Sequence, residues 1–584
     1  MPVVTVVTAA ARVAIVTAVA GLLLTGAASP ASAHASVVAT TPGDGTVLTT
    51  GPATVAVSFD QPVTAGTGAL RVLAPDGHRV DSGSPFHPAG RGSDLAVTLG
   101  DRSERGTYTV AWRVVSSDSH PVSGGFTFSI GIATTVTSPD AAGQPTGSRT
   151  VGVLFGIARW TAYTGYAALV GGTTFATWCW PAGSALRSTR RMLTAAWATT
   201  VAGTLGCLLA QGPYGAGLGL GTATSWPVLS QTLATRLGTA VLVRLALLVA
   251  AVPVLILLLQ RRHRPATGTL ASLMATALSV TWVAADHGGS GEQVEIAVPV
   301  SALHLLATAI WLGGVAFLAM VALREGSSAA RVRADEESAS KPESGPGLEA
   351  GSGLDSSTGA GFGSDLEAGV KRFSRLALAC IIVLLASGLY DSWRGVGTWA
   401  ALIGTAYGRL IIGKTAGFAL VLCLGATARR ALARRALPSL RDTVVVETGV
   451  GLGVLALAAV LVEVQPGRTA YAPPVHATAA FDTGGPHGAG TAQLVVDPAR
   501  TGFATFDLAI VDPARSPVRE AEVSAALQLD AQRLGPLPVT FTDVGTGRYR
   551  ATASIAVPGA WVLRVTVRSD ALNETTVAFP VKVH

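Results

Sequence analysis

RLGTAVLVRLALLVAAVPVLILLL, residues 236–259, runs for 24 positions with only two charged side chains, Arg236 and Arg244. As a helix it is about 36 Å long, enough to cross the roughly 30 Å hydrocarbon core of a bilayer. In hydrocarbon only a helix or a closed barrel satisfies its own backbone, so the run reads as a membrane-spanning helix. Comparable apolar blocks lie at approximately 151–179, 192–211, 268–287, 296–323, 374–394, 408–428 and 443–464, which makes eight expected spans. Composition agrees. The chain has 584 residues, 49% of them hydrophobic and 13% charged, whereas soluble domains are roughly a quarter charged. A soluble globular enzyme is excluded on that ground. The formal charge of +7 comes from short Lys and Arg clusters between apolar blocks, not from a basic face interleaved with aromatics, so nucleic acid is not an expected partner. Cys179, Cys207, Cys380 and Cys423 all fall inside apolar blocks, and no disulfide is expected outside the membrane.

The basic clusters also give an orientation. Odd-numbered loops hold Arg187, Arg190 and Arg191, then Arg261, Arg262 and Arg264, then seven Lys or Arg from Arg324 to Arg375, then Arg429, Arg430, Arg434, Arg435 and Arg441. Even-numbered loops hold little beyond Arg394, with Arg236 and Arg409 at helix starts. The positive-inside rule puts the odd loops in the cytoplasm and both ends of the chain outside a plasma membrane. Residues 324–373, rich in Gly, Ser, Ala and Glu, read as a disordered cytoplasmic insertion within a membrane domain of 151–465.

Residues 1–33 read as a signal peptide, with Arg12, the apolar run Val13–Leu24 and the small residues Ala31-Ser32-Ala33. Cleavage after Ala33 exposes His34, whose α-amine and imidazole form a chelate suited to Cu(II). From 34 to 133 the pattern turns to short alternating runs, TVAVSFD, ALRVLAP, DLAVTL, YTVAWRVV and FTFSI, separated by Gly, Pro, Asp and Ser. That is a small β-sandwich, followed by a linker over 134–150. The turn before FTFSI carries Ser117-Asp118-Ser119-His120-Pro121; an Asp-x-His in extended chain can point a carboxylate and an imidazole the same way. His78 and His87 fall in loops and read as solvent-facing, with no partner at ligand spacing in sequence.

HASVVATTPGDGTVL (34–48), VAVSFDQPV (55–63) and YTVAWRVVSSDSHPVSGGFTFSI (108–130) resemble the CopC family of copper-binding β-sandwiches across nearly the whole segment. The resemblance implies Cu(II) held by the terminal amine and imidazole of His34, with Asp118 and His120 completing the site. Some members also carry a Met-rich Cu(I) site. Here the methionines are Met1, Met192, Met274 and Met320, none in the mature soluble domain.

Inside the membrane domain, polar residues are costly unless partnered or placed in a wet cavity. Asp286 and His287 end the fourth block, and His304 lies about eight residues into the fifth, followed one heptad later by Trp311 and by Gly313-Gly314. A neutral imidazole is a good copper ligand, so His287 and His304 read either as a copper path or as interhelical hydrogen-bonding groups. Lys414 and Arg159 read as snorkelling residues, and Glu447 and Glu463 as groups at opposite ends of the last helix. HLLATAIWLGGVAFL (304–318), RFSRLALACIIVLLASGLYDSW (372–393), YGRLIIGKTAGFALVL (407–422) and ETGVGLGVLALAAVLV (447–462) resemble the CopD family of copper-handling membrane proteins. A CopC-like domain preceding a CopD-like one resembles the fused form, which implies copper movement inward.

Residues 466–490 read as a second linker, containing His476 and His487, and 491–584 as another extracytoplasmic β-sandwich, faintly resembling YtkA-like or FixH-like domains. No Ser-His-Asp, Cys-His or paired-carboxylate arrangement marks a catalytic centre, so the chain reads as a non-enzyme. The leading expectation is copper capture by the outer domain and import through the helices. Intracellular copper is mainly Cu(I), so a reduction step is needed, and an extracytoplasmic chaperone or reductase is the partner class expected to supply it. Two alternatives stand beside it: membrane electron transfer with haem b between His287 and His304, and extracytoplasmic copper sequestration for tolerance.

Overall fold

A computed structural model describes residues 35–583 apart from 67, 117–120, 135–146, 261–264, 286–292, 323–355, 434–436, 485–487, 519–521, 533 and 571. The chain separates into two compact units, one built on Gly152–Gln211 and Thr232–Arg468, the other on Ala31–Val151, Gly212–Gln231 and Thr469–His584.

The second unit holds both β-domains. The first domain contains β1 (Val37–Thr41), β2 (Thr46–Leu48), β3 (Thr54–Phe59), β4 (Leu70–Leu73), β5 (Asp81–Phe86), β6 (Asp94–Leu99), β7 (Gly106–Val115) and β8 (Pro121–Ile130). They form two four-stranded sheets, ordered β1-β3-β6-β5 and β2-β8-β7-β4. Alternation does the work: in TVAVSF of β3, Val55, Val57 and Phe59 are buried and face Leu70, Val72, Val110, Phe126 and Phe128 across the sandwich. Tyr108 stacks on Phe128 at 5.2 Å and donates its hydroxyl to the Glu104 carbonyl at 2.9 Å. β7 and β8 pair without a slip from Gly106↔Ile130 to Val115↔Pro121, so their connecting loop is fixed as residues 116–120. The Trp112 ring lies over Gly124, its cross-strand partner, where a Cβ would come within 2.5 Å of Trp112 Cζ2.

The second β-domain runs from β9 (Val475–Asp482) through β10 (Ala489–Asp497), β11 (Gly502–Val511), β12 (Glu522–Leu529), β13 (Leu534–Val539), β14 (Thr542–Gly545), β15 (Arg548–Ile555) and β16 (Gly559–Arg568) to β17 (Glu574–Val583). Its sheets are ordered β14-β15-β11-β10-β9 and β13-β12-β16-β17. β9 lies inside the stretch expected to be linker, which corrects that boundary. VHATAAFD alternates with a strand's period, but its inward residues Val475, Ala477 and Ala479 are small, so the apolar signal is weak until Phe481. His476 is therefore on the exposed face of a paired strand.

The two β-domains share one continuous apolar cluster. Asp44 sits at their junction, 4% exposed. Its Oδ1 accepts from the Thr127 backbone N–H at 2.9 Å. Its Oδ2 is buried with no hydrogen-bond partner of ordinary geometry, beside the Ala556 backbone of the second domain. Gly45 next to it has φ +68°, and a Cβ there would meet Leu537 Cδ2 at 2.5 Å.

The helices, most of them in the first unit, are α1 (Gly147–Thr174, continued by a π turn at Phe175–Cys179), α2 (Arg187–Ala216), α3 (Trp226–Ala234), α4 (Arg236–Leu259), α5 (Pro265–Val283), α6 (Val294–Phe317, continued by a π turn at Leu318–Ala322), α7 (Ser356–Val396), α8 (Trp399–Gly404), α9 (Ala406–Ala433), α10 (Leu437–Glu463) and α11 (Gly467–Ala470). Among the described residues seven helices are long and apolar enough to cross a membrane: α2, α4, α5, α6, α7, α9 and α10. The first of the eight expected spans is helical as α1, but it is not among the seven. Its sequence is diluted by glycine, threonine and Arg159, because it packs against protein: a Cβ at Gly313 of α6 would sit 1.7 Å from the Ala167 carbonyl oxygen of α1, so the two backbones cross in contact.

The expected disordered insertion of 324–373 is also corrected in part. Residues 356–373 are the first turns of α7. Leu366, Val370 and Phe373 recur at helical spacing and pack into a cluster with Phe175, Cys179 and Trp180; Phe373 and Phe175 have ring centroids 5.2 Å apart. The surrounding Gly, Ser and Glu hid that stripe.

Burial without a full set of donors pushes the Asp44 carboxyl up from its ordinary 3.8 to about 6, opposed by the Thr127 donation. A folded-state value above the unfolded one means the folded unit binds the extra proton, so the stabilisation is complete below the ordinary value and is lost as pH rises through about 6, a span worth about 3 kcal/mol. Thermal unfolding at about pH 5 and about pH 7.5 checks this: the wild type gains stability at the lower pH relative to Asp44→Asn, whose amide does not titrate.

Candidate metal-binding residues

His34, Asp118 and His120 lie outside the described residues, but the chain on either side of them is placed. Ala35 is buried in the sandwich core. The Ser36 N–H donates to Asp60 Oδ1 at 2.8 Å, and the Asp60 N–H donates to the Ser36 carbonyl at 3.0 Å. Val115, which closes β7 before the 116–120 loop, exchanges two backbone hydrogen bonds with Thr64, both 2.8 Å. The segment Asp60–Thr64 thus holds Ser36 and Val115 at one end of the sandwich. Arg113, also near that end of β7, donates to the carbonyls of Tyr214 and Gly215 at 2.9 and 3.1 Å.

At the opposite end of β7, His78 is solvent-facing as expected, but it has partners that the sequence spacing did not show. Its Nδ1 contacts Asp76 Oδ1 and lies 4.0 Å from Glu104 Oε2, all three side chains being substantially exposed. The sequence separates Glu104 from His78 by a whole strand pair, so spacing alone did not reveal it. His87 Nδ1 is bonded to the Asp94 carbonyl at 2.7 Å.

Of the two membrane histidines, His287 lies outside the described residues and His304 is placed. His304 sits on α6 facing α7. These helices run antiparallel through a pair of side-chain bridges: Ser301 Oγ donates to Asp391 Oδ1 at 2.9 Å, and His304 Nδ1 meets Ser387 Oγ at 2.8 Å. Three residues of α6 advance about 4.5 Å and four of α7 about 6 Å, so the bridges are adjacent rungs between the helices. Ser387 Oγ also donates to the Val383 carbonyl at 2.6 Å. A hydroxyl has one proton, so with that proton committed Ser387 accepts from His304 Nδ1–H. The neutral imidazole then keeps its lone pair on Nε2. Gly388 lies beside the ring, where a Cβ would be in ordinary van der Waals contact with His304 Cε1 at 3.5 Å.

Lys414 of α9 is close enough for its charge to act on both His304 and Asp391. Tyr390, one residue before Asp391, donates to Gln293 Oε1 at 3.2 Å where α6 begins. Trp311, two turns along α6 from His304, packs edge-on to Phe418 of α9 at 5.6 Å. The sequence reading missed Ser301, Ser387 and Asp391; the signal was present in ASGLYDSW, where Ser387 and Asp391 are four apart within an apolar run.

Arg159 is not a snorkelling residue. It is 4% exposed, pairs with Glu463 of α10 at 2.8 Å and lies over the Phe155 ring at 4.7 Å. Arg244 is 2% exposed, caps the Trp282 ring at 3.3 Å and donates to Thr281 Oγ1 and its carbonyl, both at 3.0 Å.

A β-sandwich, an apolar helical unit and a second β-sandwich in one chain define a multi-pass membrane protein with soluble β-domains. The CopC domain family matches residues 37–131, and the family described as copper resistance protein D matches residues 367–461. The chain is 25% identical over 561 residues to the copper transport protein CutJ of Bacillus subtilis (strain 168), covering 94% of this chain and 95% of that one. It is 32% identical over 109 residues to copper resistance protein C of Xanthomonas campestris pv. juglandis, covering 18% of this chain and 85% of the relative. Protein YobA of Escherichia coli (strain K12) is 30% identical over 98 residues, covering 17% and 79% respectively. The chain is a fused CopC/CopD protein.

The Arg159–Glu463 pair has a direct test. Glu463→Gln leaves a buried guanidinium without its carboxylate, which costs roughly 3–5 kcal/mol. Replacing both partners, as Arg159→Met with Glu463→Met, recovers most of that loss. Thermal unfolding of the purified variants in detergent measures both effects; equal destabilisation by the single and double changes contradicts the pairing.

Proposed function

We propose that this protein imports copper across the plasma membrane, capturing Cu(II) on its first β-domain and passing it to a membrane path through His304. The observation that carries the reading is the His304 arrangement: an imidazole inside a multi-span unit whose Nδ1 proton is tied to Ser387, leaving Nε2 as a ligand atom. A histidine oriented through its second nitrogen is the usual state of a metal-binding imidazole. The names of the relatives, copper transport protein CutJ and copper resistance protein C, supply the metal.

The capture site is His34 with Asp118 and His120, after removal of residues 1–33. Support comes from the Asp60–Thr64 segment, which holds Ser36 and Val115, the neighbours of these residues, at one end of the sandwich. Counting α1 as a span gives eight crossings and puts both β-domains outside, with the basic loops in the cytoplasm. In that orientation His304, Asp391 and Lys414 lie in the outer part of the membrane, where α6 and α9 begin and α7 ends. His287 precedes α6 on the same side and is the entry group. The second β-domain, packed on the first through Asp44, Leu534 and Leu537, is a docking module for the capture domain. Reduction to Cu(I) belongs to a partner reductase or chaperone.

Copper accumulation at limiting external copper tests the reading in cells lacking the protein and complemented with wild type, His120→Ala or His304→Ala. Wild type restores uptake, His304→Ala abolishes it, and His120→Ala reduces it several-fold while leaving uptake at high copper. Equal copper in all strains overturns import. A tolerance phenotype that persists in His304→Ala points to sequestration by the β-domain.

A further inference from the structure

We propose that Asp391 is the second protein ligand of the membrane copper site, completing with His304 a nitrogen and oxygen pair, and that Lys414 is the fixed charge the ion must displace from influence over that carboxylate. This rests on the copper-path reading of His304 and extends it to the ligand set and the oxidation state.

The argument begins with what holds each group. His304 is oriented by Ser387, whose single proton is spent on the Val383 carbonyl, so the imidazole presents Nε2. Asp391 is held in the same manner: Ser301 donates to Oδ1 at 2.9 Å, and among the described residues it is the only hydrogen-bond donor to this carboxylate. Both bridges join the same two helices on adjacent rungs. A carboxylate within an apolar helix is expensive, and one serine hydroxyl does not supply the donors a charged carboxylate takes in water.

The resident positive charge is Lys414, from a third helix, α9, acting on both His304 and Asp391. It partly offsets the carboxylate while the site is empty and repels an ion that enters. Binding and release are balanced between them: Asp391 favours the bound ion, and Lys414 limits how tightly it is held. Arg394 and Tyr407 also face Asp391 and belong to the same polar group. An imidazole nitrogen with a carboxylate oxygen suits Cu(II), whereas Cu(I) prefers thiolate and thioether sulfur. The four methionines lie elsewhere, with Met192 and Met320 at the other end of the helical unit near Phe317. Copper is therefore accepted into the outer part of the membrane as Cu(II).

The test uses the full-length protein in detergent, carrying His120→Ala to remove the capture site, titrated with Cu(II) and followed by electron paramagnetic resonance. One Cu(II) with a single nitrogen from this pair binds; His304→Ala abolishes it; Asp391→Asn weakens it by about 10-fold or more. Asp391→Glu restores binding in part, which separates ligation from folding, and Lys414→Gln tightens it. Binding lost in His304→Ala but unchanged in Asp391→Asn overturns the proposal while leaving the copper path through His304 intact. Absence of any Cu(II) bound outside the capture site also overturns it, and cellular copper accumulation then decides separately whether the transport reading stands. Weakening by Asp391→Asn with no recovery in Asp391→Glu, and with the loss of stability that misfolding brings, assigns Asp391 a structural role and overturns ligation.

Discussion

Ser387 has one proton, and it goes to the carbonyl one turn back along its own helix. The proposed copper path depends on that constraint. It forces the hydroxyl to accept from His304, fixes which imidazole nitrogen carries hydrogen, and ties α6 to α7 at one height. Serine back-bonding of this kind is common where a hydroxyl is placed in an apolar helix. Here it converts a helix-packing contact into a fixed imidazole orientation, and the adjoining Ser301 bridge holds the Asp391 carboxylate at the next rung.

Close backbone packing makes the arrangement rigid. α6 is crossed by α1 at Gly171 and Gly313, and Phe373 of α7 fills the space beside Gly314. Indole N–H groups supply further interhelical ties: Trp160 donates to the Leu452 carbonyl at 3.1 Å and Trp197 to the Leu248 carbonyl at 2.9 Å. The remaining buried charges are compensated locally, Arg159 by Glu463 and Arg244 by Trp282 and Thr281. Such compensation lets charged residues persist in a bundle as structural groups. Lys414 is different, because its charge falls on the imidazole and carboxylate themselves.

How far the sequence was legible follows from what each signal depends on. Alternation in TVAVSF and length in Arg236–Leu259 are local properties, and both gave the correct element. The resemblance carried by YTVAWRVVSSDSHPVSGGFTFSI identified the first domain before any contact was visible. β9 was missed because its inward side is built mostly of alanines, and the start of α7 because its apolar stripe is diluted by glycine and glutamate. His304 was singled out together with His287. Its partners were not, since Ser387 and Asp391 meet it only through antiparallel pairing of helices that are separated by the long 323–355 stretch. Arg159 was misread for the same reason: a lone basic residue looks the same in sequence whether it snorkels or finds Glu463 on another helix.

The central claim is that the protein itself moves copper through a path containing His304. Purified full-length protein in liposomes enclosing a copper-responsive dye tests it without any other cellular component. The account predicts copper-dependent dye response above that of protein-free vesicles, lost in His304→Ala protein reconstituted to the same density. A response equal to empty vesicles with reductant and without it, or one unchanged by His304→Ala, would contradict it.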